Sequence, residues 1–149
     1  MDWQPGTIMD TMPTIEDLLR GRPESVAEMF SQILSTAHDR GHVEVEVIAK
    51  GVVLHGSRRI FAGLVPRDRG LGGMLNLLAP REDARFTKVE PLTKRIWHHR
   101  FFLTDPSQLD EKFLGWVREA CDVGQGAASR RLEVNGKDPA APRPQDPSG

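Results

Sequence analysis

Val43, Val45 and Val47 alternate with Glu44, Glu46 and Ile48, and further apolar runs follow after short, glycine-bearing links. A two-residue period belongs to a half-buried strand. Links this short join antiparallel neighbours, because a parallel crossover takes a dozen or more residues. Lys50-Gly51 reads as the turn into a strand over 52–55, and Gly56-Ser57 leads into another over 59–65 that Pro66 stops. A glycine-rich connection at 68–73 precedes apolar residues 74–78, and after a polar interval 94–103 supplies the last long strand. The pattern predicts an antiparallel sheet of about five strands, whose order the sequence does not reveal.

Helices flank this sheet in sequence. Thr14 and Asp17 form a helix-start signal before Ile15, Leu18 and Leu19. Pro23 suits the first turn of a second helix, in which Val26, Met29, Phe30, Ile33, Leu34 and Ala37 fall on one face before Gly41 closes it. Asp105, Pro106 and Gln108 match a capping box at the start of a closing helix. Leu109, Phe113, Trp116, Val117 and Ala120 share its face, and Gly124 ends it. Apolar helix stripes need a partner, and a sheet with one apolar face provides it. The expected fold is α+β: a two-layer sandwich with the helices on one sheet face. Residues 13–124 form the expected domain, 1–12 a flexible leader, and 125–149, rich in Gly, Pro and charge, a disordered tail.

Charge is unevenly spread. Residues 1–49 carry three basic and nine acidic side chains, 50–100 eleven and four, and 101–149 six and eight. A near-neutral chain therefore contains a strongly basic middle. No apolar run approaches the roughly 20 residues of a membrane span, no secretory signal opens the chain, and the lone Cys121 has no disulfide partner. A cytoplasmic protein without membrane attachment is the expectation. Cys121, beside the apolar stripe of the last helix, is expected to be a buried, inert thiol.

Four features in order resemble a bacterial family known as domain of unknown function 5655: Thr14-Ile15-Glu16-Asp17, the Val43-Glu44-Val45-Glu46 strand, the Arg59-Ile60-Phe61-Ala62 strand, and His99-Arg100 before the helix containing Trp116-Val117-Arg118-Glu119-Ala120. The resemblance covers Thr14 to about Val123. That family commonly has an acidic residue in the strand around 73–77, where this chain has Gly73 and Asn76. The strand with Trp97 followed by the last helix is also similar to small YjbR-like α/β proteins. Both resemblances imply a fold and no particular chemistry.

The densest set of functional side chains runs through Lys94-Arg95-Ile96-Trp97-His98-His99-Arg100-Phe101-Phe102. Strand alternation puts Arg95, Trp97, His99 and Phe101 on one face and Ile96, His98, Arg100 and Phe102 on the other. Adjacent histidines pointing apart do not chelate one ion, so no metal site is expected. Two readings compete. One makes Arg59, Arg95, Trp97, His99 and Arg100 a ligand surface for an anion; the other makes them amphipathic covers with packed stems and wet tips. The basic segment with Trp97, Phe61 and Phe86 adds nucleic acid as a candidate partner, although acids elsewhere in the chain could neutralise it. The 69–73 glycine run lacks the setting of a nucleotide loop. No nucleophile elbow, zinc-protease motif, phosphate-loop lysine or paired cysteines occur. The sequence thus points to a non-enzymatic binding module with no cofactor or catalytic residue. The alternatives are a small enzyme with His99 as acid/base and Arg100 or Arg95 as anion clamp, and a self-associating scaffold forming a homodimer.

Overall fold

A computed structural model describes residues 13–128. Helix α1, Ile15–Leu19, starts at a reciprocal cap. The Thr14 hydroxyl accepts from the Asp17 N–H at 3.1 Å, and the Asp17 carboxylate accepts from the Thr14 N–H at 3.0 Å. Helix α2, Glu24–Arg40, follows Pro23 and stops at Gly41, burying Val26, Met29, Phe30, Ile33 and Ala37.

The closing helix begins later than the sequence predicts. The Asp105–Gln108 capping box is present, but it closes a 3-10 turn, Pro106–Gln108. Leu109 then leaves the helical region, and Asp110 provides a second cap by accepting from the Phe113 N–H at 2.9 Å. Helix α3, Glu111–Gly124, starts from that second cap. The domain also extends past Gly124. Gln125 donates to the His42 carbonyl at 2.7 Å, and Ala128 packs with Ile96 and Val123. These four residues of the expected tail belong to the folded body; the leader and 129–149 lie outside the described residues.

Among the described residues six strands, close to the expected five, build one antiparallel sheet: β1 Glu44–Ile48, β2 Gly51–His55, β3 Ile60–Pro66, β4 Leu71–Leu77, β5 Phe86–Pro91 and β6 Trp97–Leu103. Their order is β1-β2-β3-β4-β6-β5. The additional strand, β5, lies in the interval that reads as polar. It is a sheet edge, so only Phe86 and Val89 of its side chains need face inward, and its apolar signal is short. The glycine run is also shorter as a loop than expected. Arg67 N–H donates to Gly70 O at 2.9 Å to close a tight hairpin, and Gly72 and Gly73 pair inside β4.

Pairing registers sort the side chains. Val52, Leu54, Ala62, Leu64, Leu71, Leu75, Leu77, Phe101 and Leu103 share one sheet face and form the core with α2 and α3, including Phe113, Val117 and Ala120. Full burial of each large apolar side chain stabilises by about 1.5–3 kcal/mol. Both helical stripes are covered by this face, so the fold is the expected two-layer α+β sandwich. No helix among the described residues packs on the other sheet face, as antiparallel sheets allow. No helix among the described residues is long and apolar enough to cross a membrane.

Ion pairs tie the three differently charged thirds together. Arg22 meets Asp68, Arg40 meets Asp122, Arg81 meets Glu119, and Arg85 bridges Asp83 and Asp110. Lys88 sits 3.7 Å from Glu90. Part of the basic middle is therefore matched to acids on folding. Cys121 is buried, as expected; burial pushes its thiol up, and it lies 3.5 Å from the Ala37 carbonyl.

Candidate functional site on the open sheet face

The period of β6 divides the residues that the sequence groups together. Trp97, His99, Phe101 and Leu103 point to the helical side, whereas His98, Arg100 and Phe102 point away from it. His99 is fully buried. Its Nε2 accepts from the Arg81 backbone N–H at 3.0 Å, so Nδ1 carries the hydrogen and donates to the Trp97 carbonyl at 3.0 Å. Phe86 lies edge-on to the ring at 4.7 Å. Burial above all holds the imidazole below its usual range, and both nitrogens are already engaged. His99 pins the β4–β5 connection to the sheet.

The other sequence candidates disperse. Trp97 is half-buried at the end of β6, beside a hollow of about 430 Å³ that Arg81 and Lys88 also line. Arg95 lies in the turn before β6, with its N–H bonded to the Thr93 hydroxyl at 3.1 Å. Arg59 sits in the β2–β3 turn, its N–H donated to the Gly124 carbonyl at 3.2 Å. Of the five, only Arg100 reaches the outer sheet face.

That face carries an open concavity of about 730 Å³. Val53, Val65, Met74 and Phe102 give it apolar walls, while Arg67, Arg100, His98 and Thr87 bring polar groups. Arg67 and Arg100 have no carboxylate partner among the described residues. Two guanidiniums above apolar walls match an anion with an apolar body. Among the described residues, no three His, Cys, Asp or Glu side chains gather to hold a metal ion.

The floor of the concavity is made low by glycine. Gly63 on β3 and Gly72 on β4 both face outward, in line with Met74 and Phe102. A Cβ at Gly63 would meet nothing nearer than the Val52 carbonyl at 3.5 Å, and one at Gly72 nothing nearer than Phe102 at 3.5 Å. Neither residue has a positive φ. Packing and backbone would thus tolerate alanine at both positions, and glycine in a strand interior costs about 0.5–1 kcal/mol relative to alanine. Strand glycine often accompanies close approach by another group, and here Met74 lies 3.7 Å from the Gly63 Cβ position and the Arg67 Nε 3.6 Å from that of Gly72. Gly73 is different, because a Cβ there would strike the Gly63 carbonyl and the Phe101 ring.

Arg67, His98 and the two glycines escape the sequence reading because their meeting depends on strand order. Arg67 follows β3 and His98 lies on β6; β4 brings them to one surface. The available signal was parity, since His98, Arg100 and Phe102 alternate with residues that the core claims. Comparisons with family models, curated proteins and solved structures gave no match for this chain.

Proposed function

We propose that this chain is a binding module whose outer sheet face, opposite the helices, takes an anionic ligand with an apolar body. The carrying observation is a pair of guanidiniums, Arg67 and Arg100, without a carboxylate partner among the described residues, beside a glycine-floored apolar concavity. The ligand's anionic group meets the arginines, and its apolar part lies over Gly63, Gly72 and Met74. The resemblance to family 5655 belongs to this proposal as a statement about fold, and the lone buried Cys121 supports a reducing, cytoplasmic setting.

The nucleic-acid form of the reading has less support, because Arg81, Arg85 and Lys88 of the basic segment are engaged with Glu119, Asp83, Asp110 and Glu90. An acid/base site at His99 also lacks support, since neither ring nitrogen faces an open surface.

Titration of the 15N-labelled protein with sodium decanoate tests the proposal. Saturable amide shifts are expected at Gly63, Gly72, Met74, Arg100 and Phe102, with weaker binding after Arg100→Ala or Arg67→Ala. No saturable shifts, or shifts confined to α2 and α3, would overturn it. An oligonucleotide contacting about five phosphates would instead lose several hundredfold in affinity between about 50 and 200 mM salt, which would favour the nucleic-acid form.

A further inference from the structure

Asn76 stands on the outer face of β4, 3% exposed, and its bonds dictate the state of His98. Its Nδ2 lies 3.3 Å from the Ile60 carbonyl oxygen. A carbonyl can only accept, so the amide nitrogen must face it and Oδ1 must face elsewhere. Oδ1 meets Nδ1 of His98 at 3.1 Å. An amide oxygen also only accepts, so Nδ1 carries the imidazole hydrogen. The neutral ring has one N–H, and Nε2 therefore keeps its lone pair.

The Asn76 bonds also explain why the chain holds this residue there. A register irregularity between β2 and β3 adjoins the His55–Ile60 pair. The amide of Asn76 satisfies the Ile60 carbonyl and passes the orientation on to the next ring. Nε2 of His98 has no partner among the described residues, and the ring lines the concavity with Arg100. Burial, then the Arg100 charge, lower the affinity of His98 for a proton, against the weaker opposing pull of Glu90. The outcome is a neutral, oriented acceptor beside two cations.

We infer that His98 reads a neutral hydrogen-bond donor on the ligand, and that the preferred ligand class is a hydroxy acid with an aliphatic body. Its carboxylate meets Arg67 and Arg100, its hydroxyl donates to Nε2 of His98, and its chain covers Gly63 and Gly72. An ammonium donor is disfavoured by the same two guanidiniums, whereas a hydroxyl is not. This inference rests on the proposed anion-binding role of the concavity.

The test is calorimetric titration of the full chain with decanoate and with 3-hydroxydecanoate near pH 7.5. Both are expected to bind, the hydroxy acid about tenfold more tightly, as one added hydrogen bond implies. In His98→Leu the ratio of the two affinities should fall to about one. A wild-type measurement guards against a variant that fails to fold: 3-hydroxydecanoate should move the His98 imidazole 15N resonance of Nε2, and decanoate should not. Equal binding of the two acids by the wild-type chain would overturn the hydroxyl preference and leave the binding role intact. Binding of neither would overturn both.

Discussion

The backbone N–H of Arg81 donates to Nε2 of the buried His99 ring across 3.0 Å, a partly buried bond on the helical side of the sheet. The imidazole stands in for a strand that the β4–β5 connection lacks, giving a partly buried N–H its acceptor. His99→Ala removes that acceptor and leaves space beside Phe86. The expected loss is about 2–4 kcal/mol in urea unfolding. A loss below about 0.5 kcal/mol, as for an exposed residue, would contradict the role.

The same burial gives a pH dependence of defined sign. The folded-state pKa of His99 is depressed, and so is that of His98, so the unfolded chain binds more protons over the interval below the ordinary histidine value of about 6.5. Stability should be full above about pH 6.5 and should decline as pH falls below it. Urea midpoints at pH 7.5 and 5.5 check this, and His99→Leu should lessen the difference. Unchanged midpoints would refute it.

Arg85, in the basic segment, is a structural hub. Its guanidinium donates to both Asp83 oxygens at 2.7 and 2.9 Å, to Asp110 at 2.9 Å and to the Gln108 carbonyl at 2.7 Å. It also lies 5.5 Å from the centres of the Phe113 and Trp116 rings. Arg85→Ala strands the half-buried Asp83 carboxylate, and a cost of about 3–5 kcal/mol is expected. Arg85→Lys keeps the charge but loses the fork, and should fall between that variant and the wild type. Thermal unfolding monitored by circular dichroism ranks the three.

Asp83 supplies an acid-side signature of that hub. The Arg85 hydrogen bonds lower its pKa from 3.8 to about 2. Its contribution to stability is present above pH 3.8 and is lost as pH falls toward 2. Asp83→Asn should flatten the acid limb of a stability profile in that window, and an unaltered limb would contradict the pairing.

Much of the framework was legible because it rests on local rules. Thr14, Pro23 and Gly41 mark helix ends through groups a few residues away, and the Val43–Val47 alternation needs no distant partner. The Asp105 box was also legible, yet Leu109 turns out of helical geometry and Asp110 must cap again. Edge strand β5 escaped because half its side chains are solvated. The site was less legible still. Alternation separates His99 from Arg100, but only the core's position says which face is buried. Arg67 and His98 come to one concavity, and Asn76 to His98, through the β3-β4-β6 order, which no short-range pattern encodes.

Neighbouring glycines should respond oppositely. Gly73→Ala drives a methyl group into the Gly63 carbonyl and the Phe101 ring, and overpacking of this kind costs about 1–3 kcal/mol. A melting temperature equal to that of the wild type would show that this close approach is not obligatory.

Gly63 and Gly72 carry the central claim, that the sheet face is shaped for a ligand and not by the needs of folding. The decisive measurement is the double variant Gly63→Ala, Gly72→Ala, assayed for melting temperature and for decanoate affinity on the same sample. The account predicts unchanged or raised melting, together with binding weakened by at least about tenfold, since two methyl groups fill the floor and a tenfold loss needs only about 1.4 kcal/mol. Wild-type affinity in the double variant, or a lowered melting temperature, would contradict it.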